Sequence, residues 1–135
     1  MKSENPFFGI LQPDRIKTDY LHRLAWGTDA SFYRKIPRLV LFPDTEEEVS
    51  GILEICNNKQ IAVTFRAAGT SLSGQSLSDS VLLVAATGWD QYQVHGDGAT
   101  ISLQPGIVGD RVNEILKPYG RKFSPDPASL SSAMV

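Results

Sequence analysis

The chain has 135 residues, of which 41% are hydrophobic, 21% charged and 9% aromatic, a composition typical of one ordinary folded domain and not of a disordered or fibrous protein. Its 13 basic and 15 acidic residues give a formal charge of -2, so the overall charge does not favour a nucleic acid or an anionic membrane as partner. The single cysteine excludes an internal disulfide, and no Cys and His cluster has metal-ligand spacing, so we expect no metal site and a reducing compartment.

The two ends of the sequence set further expectations. Residues 1–6 lack the basic stretch and apolar run of a signal peptide, and no run approaches the roughly 20 apolar residues of a membrane span. We therefore expect a cytoplasmic protein without a transmembrane segment. Residues 131–135 are small and apolar without a helix stop signal or a polar tail, so we expect the chain to end inside a longer domain.

The first predicted elements are a helix and a strand. Apolar residues at roughly helical spacing predict a helix over residues 14–26, which ends at Gly27. A polar and aromatic connector follows. The apolar run at residues 38–42, bounded by prolines on both sides, then predicts a buried strand.

A second helix and two more strands complete a parallel unit. Thr45 and Glu48 form a capping box, and apolar residues at helical spacing carry the helix to about Asn58. Short apolar runs predict strands at residues 61–65 and 81–85. The order strand, helix, strand implies a right-handed parallel arrangement.

In the last third of the chain the hydrophobic pattern changes. Apolar and polar residues alternate over 92–94 and 101–103 around turn residues at 95–98, which predicts a β-hairpin and the start of an antiparallel layer. One apolar face over residues 108–119 predicts a third helix, and Gly120 is its expected stop. The proline-containing tail beyond it is predicted to be a loop.

The most unusual segment, residues 66–76, directly follows a predicted strand. It consists of small and hydroxylated residues and contains Gly69 and Gly74. Small side chains let successive backbone amides converge on one oxyanion, hydroxyl groups add donors, and Arg66 at the strand end can add positive charge. The loop therefore suits a phosphate or pyrophosphate, while composition alone leaves an ordinary polar loop equally open.

Two common phosphate motifs do not fit this segment. Residues 69–76 have the spacing of a P-loop, but Gln75 stands in place of the lysine that binds the β- and γ-phosphates. A P-loop also leads straight into a helix, whereas here the next strand begins at Val81, so no helix can intervene. The dinucleotide fingerprint G-x-G-x-x-G is absent, which disfavours a Rossmann site.

Four motifs of the sequence, in order along the chain, resemble those of a known family. Residues 63–74 resemble the pyrophosphate loop of the vanillyl-alcohol oxidase and p-cresol methylhydroxylase (PCMH) superfamily of FAD enzymes. Three further motifs of that family match in order: a Pro-x-Thr-Glu-Glu-Val helix start at 43–49, with one residue more, a Gln-Pro-Gly-Val turn at 104–107, and a Pro-Asp-Pro-Ala-Ser turn at 125–129. Residues 27–33 resemble the subgroup of D-lactate and D-2-hydroxyglutarate dehydrogenase-like FAD-linked oxidases.

This resemblance implies an α+β fold, in which a small parallel β-α-β sheet subdomain is followed by the start of an antiparallel subdomain, with FAD between them. It divides the chain into an N-terminal helical extension over residues 1–35 and a PCMH-type FAD-binding domain over residues 36–135, truncated at its C-terminus. The implied cofactor-binding residues are Arg66, Ala67, Ala68, Gly69, Thr70, Ser71, Leu72, Ser73, Gly74 and Gln75 around the pyrophosphate, and Gly106, Pro125 and Asp126 on the flavin side.

The resemblance also bears on the cofactor linkage. Members that attach FAD covalently from this loop have a histidine where Thr70 stands, so we expect non-covalent FAD. The family's next FAD motif, Gly-Gly-x-x-Ala-Asn-Asn, and its substrate domain are not in the chain. We therefore assign no catalytic residue and do not expect the chain alone to turn over substrate. Any iron–sulfur cluster or peripheral contact with the inner membrane would belong to the absent part.

The reaction implied by the resemblance is the oxidation of a D-2-hydroxy acid to a 2-oxo acid, with hydride transfer to the flavin. Two alternatives stay open. One is the flavin reductase of cell-wall precursor synthesis, which has the same fold, and the other is an interaction module without a cofactor. The identity of the hydroxy acid, the electron acceptor and the oligomeric state are not predicted.

Overall fold

The computed structural model describes residues 5–135, and the chain divides into two compact units. The described part of the first unit comprises residues 5–66 and 71–84, and the second comprises residues 67–70 and 85–135. A four-stranded sheet lies in the first unit and a two-stranded sheet in the second. Residues 1–4, which belong to the segment compared with a signal peptide, lie outside the described residues.

The sheet of the first unit is mostly parallel. Its strands are β1 (Ile16–Lys17), β2 (Leu39–Leu41), β3 (Val63–Arg66) and β4 (Val81–Val84), in the spatial order β1-β2-β4-β3. Both β2 and β3 pair in parallel with β4, and β1 pairs antiparallel with β2. Every residue of β2 and β4 is buried, which explains why these two strands are continuous apolar runs. The three predicted strands and their parallel order are confirmed.

The helix between β2 and β3 forms as predicted. It is the second helix of the chain, α2 (Glu46–Asn58), and the Thr45 hydroxyl caps it by accepting a hydrogen bond from the Glu48 amide at 3.2 Å. Ile52 and Cys56 are its buried residues. Burial raises the pKa of the Cys56 thiol, which agrees with a packing role for this side chain.

The helix predicted over residues 14–26 is wrong in its first half. A 3-10 turn at Pro13–Arg15 leads into β1, and helix α1 is confined to Tyr20–Ala25. The Asp19 carboxylate begins the helix by accepting a hydrogen bond from the His22 amide at 3.1 Å. Ile16 pairs with Leu41 and is buried in the sheet. Burial of the Ile16 side chain in the sheet therefore outweighs the preference for helix that its spacing from the α1 residues indicates.

A cluster of charges ties the segment before β1 to the start of α2. The Arg15 guanidinium binds both carboxylate oxygens of Glu48, at 2.5 and 2.7 Å, and one oxygen of Asp44 at 2.8 Å. The hydrogen bonds from Arg15 hold the pKa of Glu48 below its usual value, against the opposing effect of partial burial. The Arg15 and Glu48 side chains are only 20% and 18% exposed, so solvent screens this pair less than an ordinary surface ion pair.

We expect Glu48→Gln to lower the free energy of unfolding at pH 7 by about 1–2 kcal/mol, because it removes a two-point charged contact. The native protein should also lose this contribution in acid. The stabilisation is present in full above the unfolded-state pKa of about 4.3 and is lost as the pH falls through the lowered native pKa. Urea unfolding at several pH values measures both effects. Glu47→Gln changes the exposed neighbour in the same helical turn, and an equal loss in both variants would contradict the prediction.

The second unit contains the predicted hairpin and third helix, both confirmed. Strands β5 (Tyr92–His95) and β6 (Thr100–Leu103) pair antiparallel. Helix α3 (Gly109–Leu116) continues into a 3-10 turn (Lys117–Tyr119), which ends at Gly120 with φ 63°. A small core is formed by buried residues of the α3 region, packed against partly buried side chains of β6 and the tail: Ile107, Val112 and Leu116, with Ile101, Leu103 and Phe123.

Residues 5–135 contain neither a helix suited to span a membrane nor a cluster suited to hold a metal ion. None of the helices there has the length and apolar character needed to cross a membrane. Within the same residues, no group of three or more His, Cys, Asp or Glu side chains is arranged to hold a metal ion.

Candidate functional site

The candidate site is the loop that joins β3 to β4. From residue 67 to residue 80 the chain forms neither helix nor strand, although it connects two parallel neighbours. The prediction that no helix follows the loop is therefore confirmed, as expected if it is not a P-loop. Gly69 and Gly74 have φ of 74° and 77°, backbone conformations that glycine adopts without steric cost.

Within this loop, two backbone amides converge on one oxygen. The Ser71 hydroxyl oxygen accepts a hydrogen bond from the Gln75 amide at 3.1 Å and one from the Ser73 amide at 3.4 Å. The same hydroxyl donates to the Gln75 side-chain oxygen. Amides that converge in this way are the arrangement that receives a phosphate oxygen in anion-binding turns. In this structure the Ser71 hydroxyl occupies both amides, and their contact with a diphosphate oxygen stays a prediction.

Arg66, predicted to add charge to the loop, is held by an earlier part of the chain. Its Nη1 donates to the Thr28 carbonyl at 2.7 Å and to the Trp26 carbonyl at 3.5 Å, and its Cζ lies 5.0 Å from the centroid of the Trp26 ring. Burial lowers the pKa of Arg66, an effect that the negative charge of Asp29 opposes. The observed contacts give Arg66 a structural role. A direct contact with phosphate stays a prediction.

A hydrogen bond between Ser76 and Asp29, neither of which was among the predicted site residues, joins the loop to an earlier segment of the chain. One carboxylate oxygen of Asp29 accepts hydrogen bonds from the Ser31 amide at 2.9 Å and the Ser31 hydroxyl at 2.5 Å. The other accepts from the Ser76 hydroxyl at 3.1 Å. Partial burial alone would raise the pKa of Asp29, but the hydrogen bonds from Ser31 and Ser76 together with the charge of Arg66 hold it below its usual value. The Asp-x-Ser spacing signals the local turn, whereas nothing local signals the contact with Ser76.

The glycine at position 74 also has a neighbour from the earlier segment. A Cβ atom placed on Gly74 would lie 3.1 Å from Cδ2 of Tyr33. Tyr33 and Gly74 line a shallow groove together with Arg34, Lys35, Ser73 and Leu77. The ring of Tyr33 therefore lies directly against the loop at Gly74.

Gly106, predicted to face the flavin, has a structural reason to be glycine. Its amide donates to the Trp89 carbonyl at 2.8 Å. A Cβ atom here would lie 1.9 Å from the Ala86 carbonyl oxygen and 2.6 Å from that of Trp89. Close approach of backbone segments therefore accounts for this residue, and its place in a cofactor site stays a prediction.

The two remaining predicted residues lie on the surface. Pro125 and Asp126 are exposed, and the Asp126 carboxylate pairs with the Lys122 ammonium at 2.6 Å in an exposed ion pair. The predicted site residues divide between the two units, with Arg66 and residues 71–75 in the first and residues 67–70, 106, 125 and 126 in the second.

Comparison with known proteins places the chain in a family. Residues 37–135 match the family model described as FAD binding domain, and the chain therefore belongs to this family of FAD-binding domains. A D-2-hydroxyglutarate dehydrogenase from Haemophilus influenzae is 30% identical over 122 residues, which cover 87% of this chain and 12% of that protein. The glycolate oxidase subunit GlcD of Escherichia coli is 35% identical over 101 residues, which cover 73% of this chain and 20% of the subunit. The chain thus spans a small part of the length of these relatives.

Solved structures share the fold. An alkyldihydroxyacetonephosphate synthase superposes with a TM-score of 0.76 at 19% identity, over 96% of this chain and 27% of that chain. p-Cresol methylhydroxylase superposes with a TM-score of 0.66 at 14% identity, over 85% of this chain and 24% of that chain. The predicted α+β fold of the PCMH type, a mostly parallel sheet followed by an antiparallel hairpin, is confirmed.

Proposed function

We propose that this chain holds the diphosphate of FAD in a flavoenzyme that oxidises a D-2-hydroxy acid to the corresponding 2-oxo acid. The observation that carries the first part is the convergence of the Ser73 and Gln75 amides on a single oxygen in the loop after β3. The names of the relatives support the second part, because they include D-2-hydroxyglutarate dehydrogenases and glycolate oxidase subunits.

In this proposal the residues of the loop bind and orient the cofactor. Backbone amides from residue 67 to residue 75 donate to diphosphate oxygens, and the small side chains let the backbone come close enough to do so. The hydroxyls of Thr70 and Ser73 add further donors, and the Ser71 hydroxyl gives up the Ser73 and Gln75 amides to the diphosphate oxygen. Gly106, Pro125 and Asp126 are proposed to lie on the flavin side. When bound, FAD supplies the acceptor for the hydride that leaves the α-carbon of the hydroxy acid.

The chain's own contribution to the reaction is therefore to position the cofactor. We assign no catalytic residue here, and we propose that the residues that bind the hydroxy acid and take its hydroxyl proton lie elsewhere in the protein. The chain alone is accordingly expected to be inactive. The single buried cysteine is typical of proteins in a reducing compartment, and we propose a cytoplasmic location.

We expect FAD to be bound without a covalent link, because the position from which related loops attach FAD through histidine is Thr70 here. The test is acid precipitation of the full-length gene product that contains this chain, followed by absorbance of the supernatant. All of the flavin should appear in the supernatant. Yellow colour or flavin fluorescence that stays with the washed, denatured protein would show a covalent bond.

Anaerobic reduction of the bound flavin separates the proposed function from the flavin reductase of the same fold. D-2-hydroxyglutarate, D-lactate and glycolate should each be tried as electron donor, with NADPH in parallel, and the loss of flavin absorbance followed. Bleaching by a hydroxy acid supports the proposal. Bleaching by NADPH alone favours the reductase, and a colourless full-length gene product that takes up no added FAD favours an interaction module.

A further inference from the structure

Residues 26–33, the first part of the segment between α1 and β2 and here called the connector, contact the loop and the strand residue just before it. Arg66, the last residue of β3, donates to the Thr28 carbonyl and stacks on Trp26. Within the loop, the Ser76 hydroxyl donates to the Asp29 carboxylate. The connector precedes residue 37, where the match to the family model begins, so membership of the family assigns it no role.

We propose that this connector is a brace for the cofactor-binding loop and that Asp29 is its positioning residue. The inference rests on the proposed function, because it supposes that the loop holds the diphosphate of FAD. Asp29 does not itself contact the cofactor in this proposal. It acts by holding Ser76, and through it the end of the loop that carries the convergent amides.

Hydrogen bonds fix the Asp29 side chain and join it to the loop. Ser31 fixes the side chain through two hydrogen bonds to one carboxylate oxygen, at 2.9 and 2.5 Å. The other oxygen then faces Ser76, 47 positions further along the chain, at 3.1 Å. Ser76 is buried, and a buried hydroxyl that loses its acceptor is costly. Ser76 is thus held at one position, one residue after Gln75, whose amide is one of the converging pair.

Two further contacts make the connector a continuous support. The Tyr33 ring lies against Gly74, where a Cβ would already be 3.1 Å from Cδ2. The opposite charges of Arg66 and Asp29 also attract each other. The connector therefore contacts Arg66, just before the loop, and Gly74 and Ser76 within it.

The test compares Asp29→Ala, Ser76→Ala and the double variant in the full-length gene product. FAD affinity is measured by titration of the apoprotein, and loop order by hydrogen–deuterium exchange of the peptide over residues 66–77. Each single variant should weaken FAD binding about tenfold, the effect of one lost hydrogen bond to a charged group, and should speed exchange of this peptide. The double variant should be no weaker than the worse single variant, because both remove the same contact.

Asp29→Asn should restore binding to within about threefold of the unmodified protein, because its amide can still accept from Ser31 and can donate to Ser76. Asp19→Ala is the matched control. Asp19 also binds a nearby amide, that of His22, but it caps α1 and makes no contact with the loop among those the structure describes. It should leave FAD affinity unchanged.

The outcomes separate the two proposals. An unmodified full-length protein that binds no FAD would overturn the proposed function and the brace with it. If the unmodified protein binds FAD and both Asp29→Ala and Ser76→Ala keep its affinity and exchange pattern, the brace is overturned and the proposed function stands. If Asp29→Ala does not fold, Ser76→Ala decides alone, because it removes the same contact and leaves the connector intact.

Discussion

Gly106→Ala is expected to destabilise the chain by roughly 3 kcal/mol or more, or to prevent folding of the second unit, because steric overlap with backbone cannot be relieved by a rotamer change. The added methyl carbon would lie 1.9 Å from the Ala86 carbonyl oxygen and 2.6 Å from that of Trp89. Relief requires the backbone to move, which would also break the 2.8 Å hydrogen bond from the Gly106 amide to Trp89. Urea unfolding followed by circular dichroism gives the change in free energy.

Gly9→Ala provides the control for this substitution, since a Cβ on Gly9 meets no atom within 4 Å. It should change the free energy of unfolding by less than about 1 kcal/mol. A Gly106→Ala protein as stable as the Gly9→Ala protein would show that the close approach to Ala86 does not exist. That result would favour the role that the motif of Gly106 implies, in which the residue is small because it lies beside the flavin.

The second large effect is expected for Gly74→Val, which should weaken FAD binding by the full-length gene product about a hundredfold or more. Gly74 has φ 77°, where a β-branched residue is strained by about 1–3 kcal/mol. The new side chain must also displace the Tyr33 ring, whose Cδ2 would be 3.1 Å from Cβ. Both effects move the loop end that carries the Gln75 amide, and the added methyl groups block close approach of a diphosphate.

Backbone strain can be separated from the loss of the site with Gly88→Val. Gly88 has φ 87°, and a Cβ there meets nothing within 4 Å, so this variant carries the strain alone, outside the loop. Flavin content after purification and FAD titration of the apoprotein are measured for both variants, with thermal unfolding as a check on folding. Unchanged flavin content in Gly74→Val would mean that the loop is not the FAD site.

Local sequence determined most of the sheet and the form of the loop. The runs that became β2 and β4 are apolar at every position because both strands are buried on both faces. The start of α2 is encoded within four residues by Thr45 and Glu48, so it needed no distant partner. The two loop glycines could also be interpreted locally, because a positive φ concerns a single residue. Gly69 and Gly74 both have a positive φ.

Only the tertiary structure decided which distant segments meet. Ile16 has helical spacing with α1 but pairs with Leu41 in the sheet, because burying its side chain there outweighs a weak local preference for helix. No local sequence pattern predicts the hydrogen bond from Ser76 to Asp29 or the stacking of Arg66 on Trp26. Each contact joins residues about 40 or more positions apart. Such contacts form only after both segments have been placed by the packing of the core. The sequence by itself could therefore predict a loop of a form that suits a diphosphate, whereas the contacts of Asp29 and Arg66 with distant residues became visible only in the folded chain.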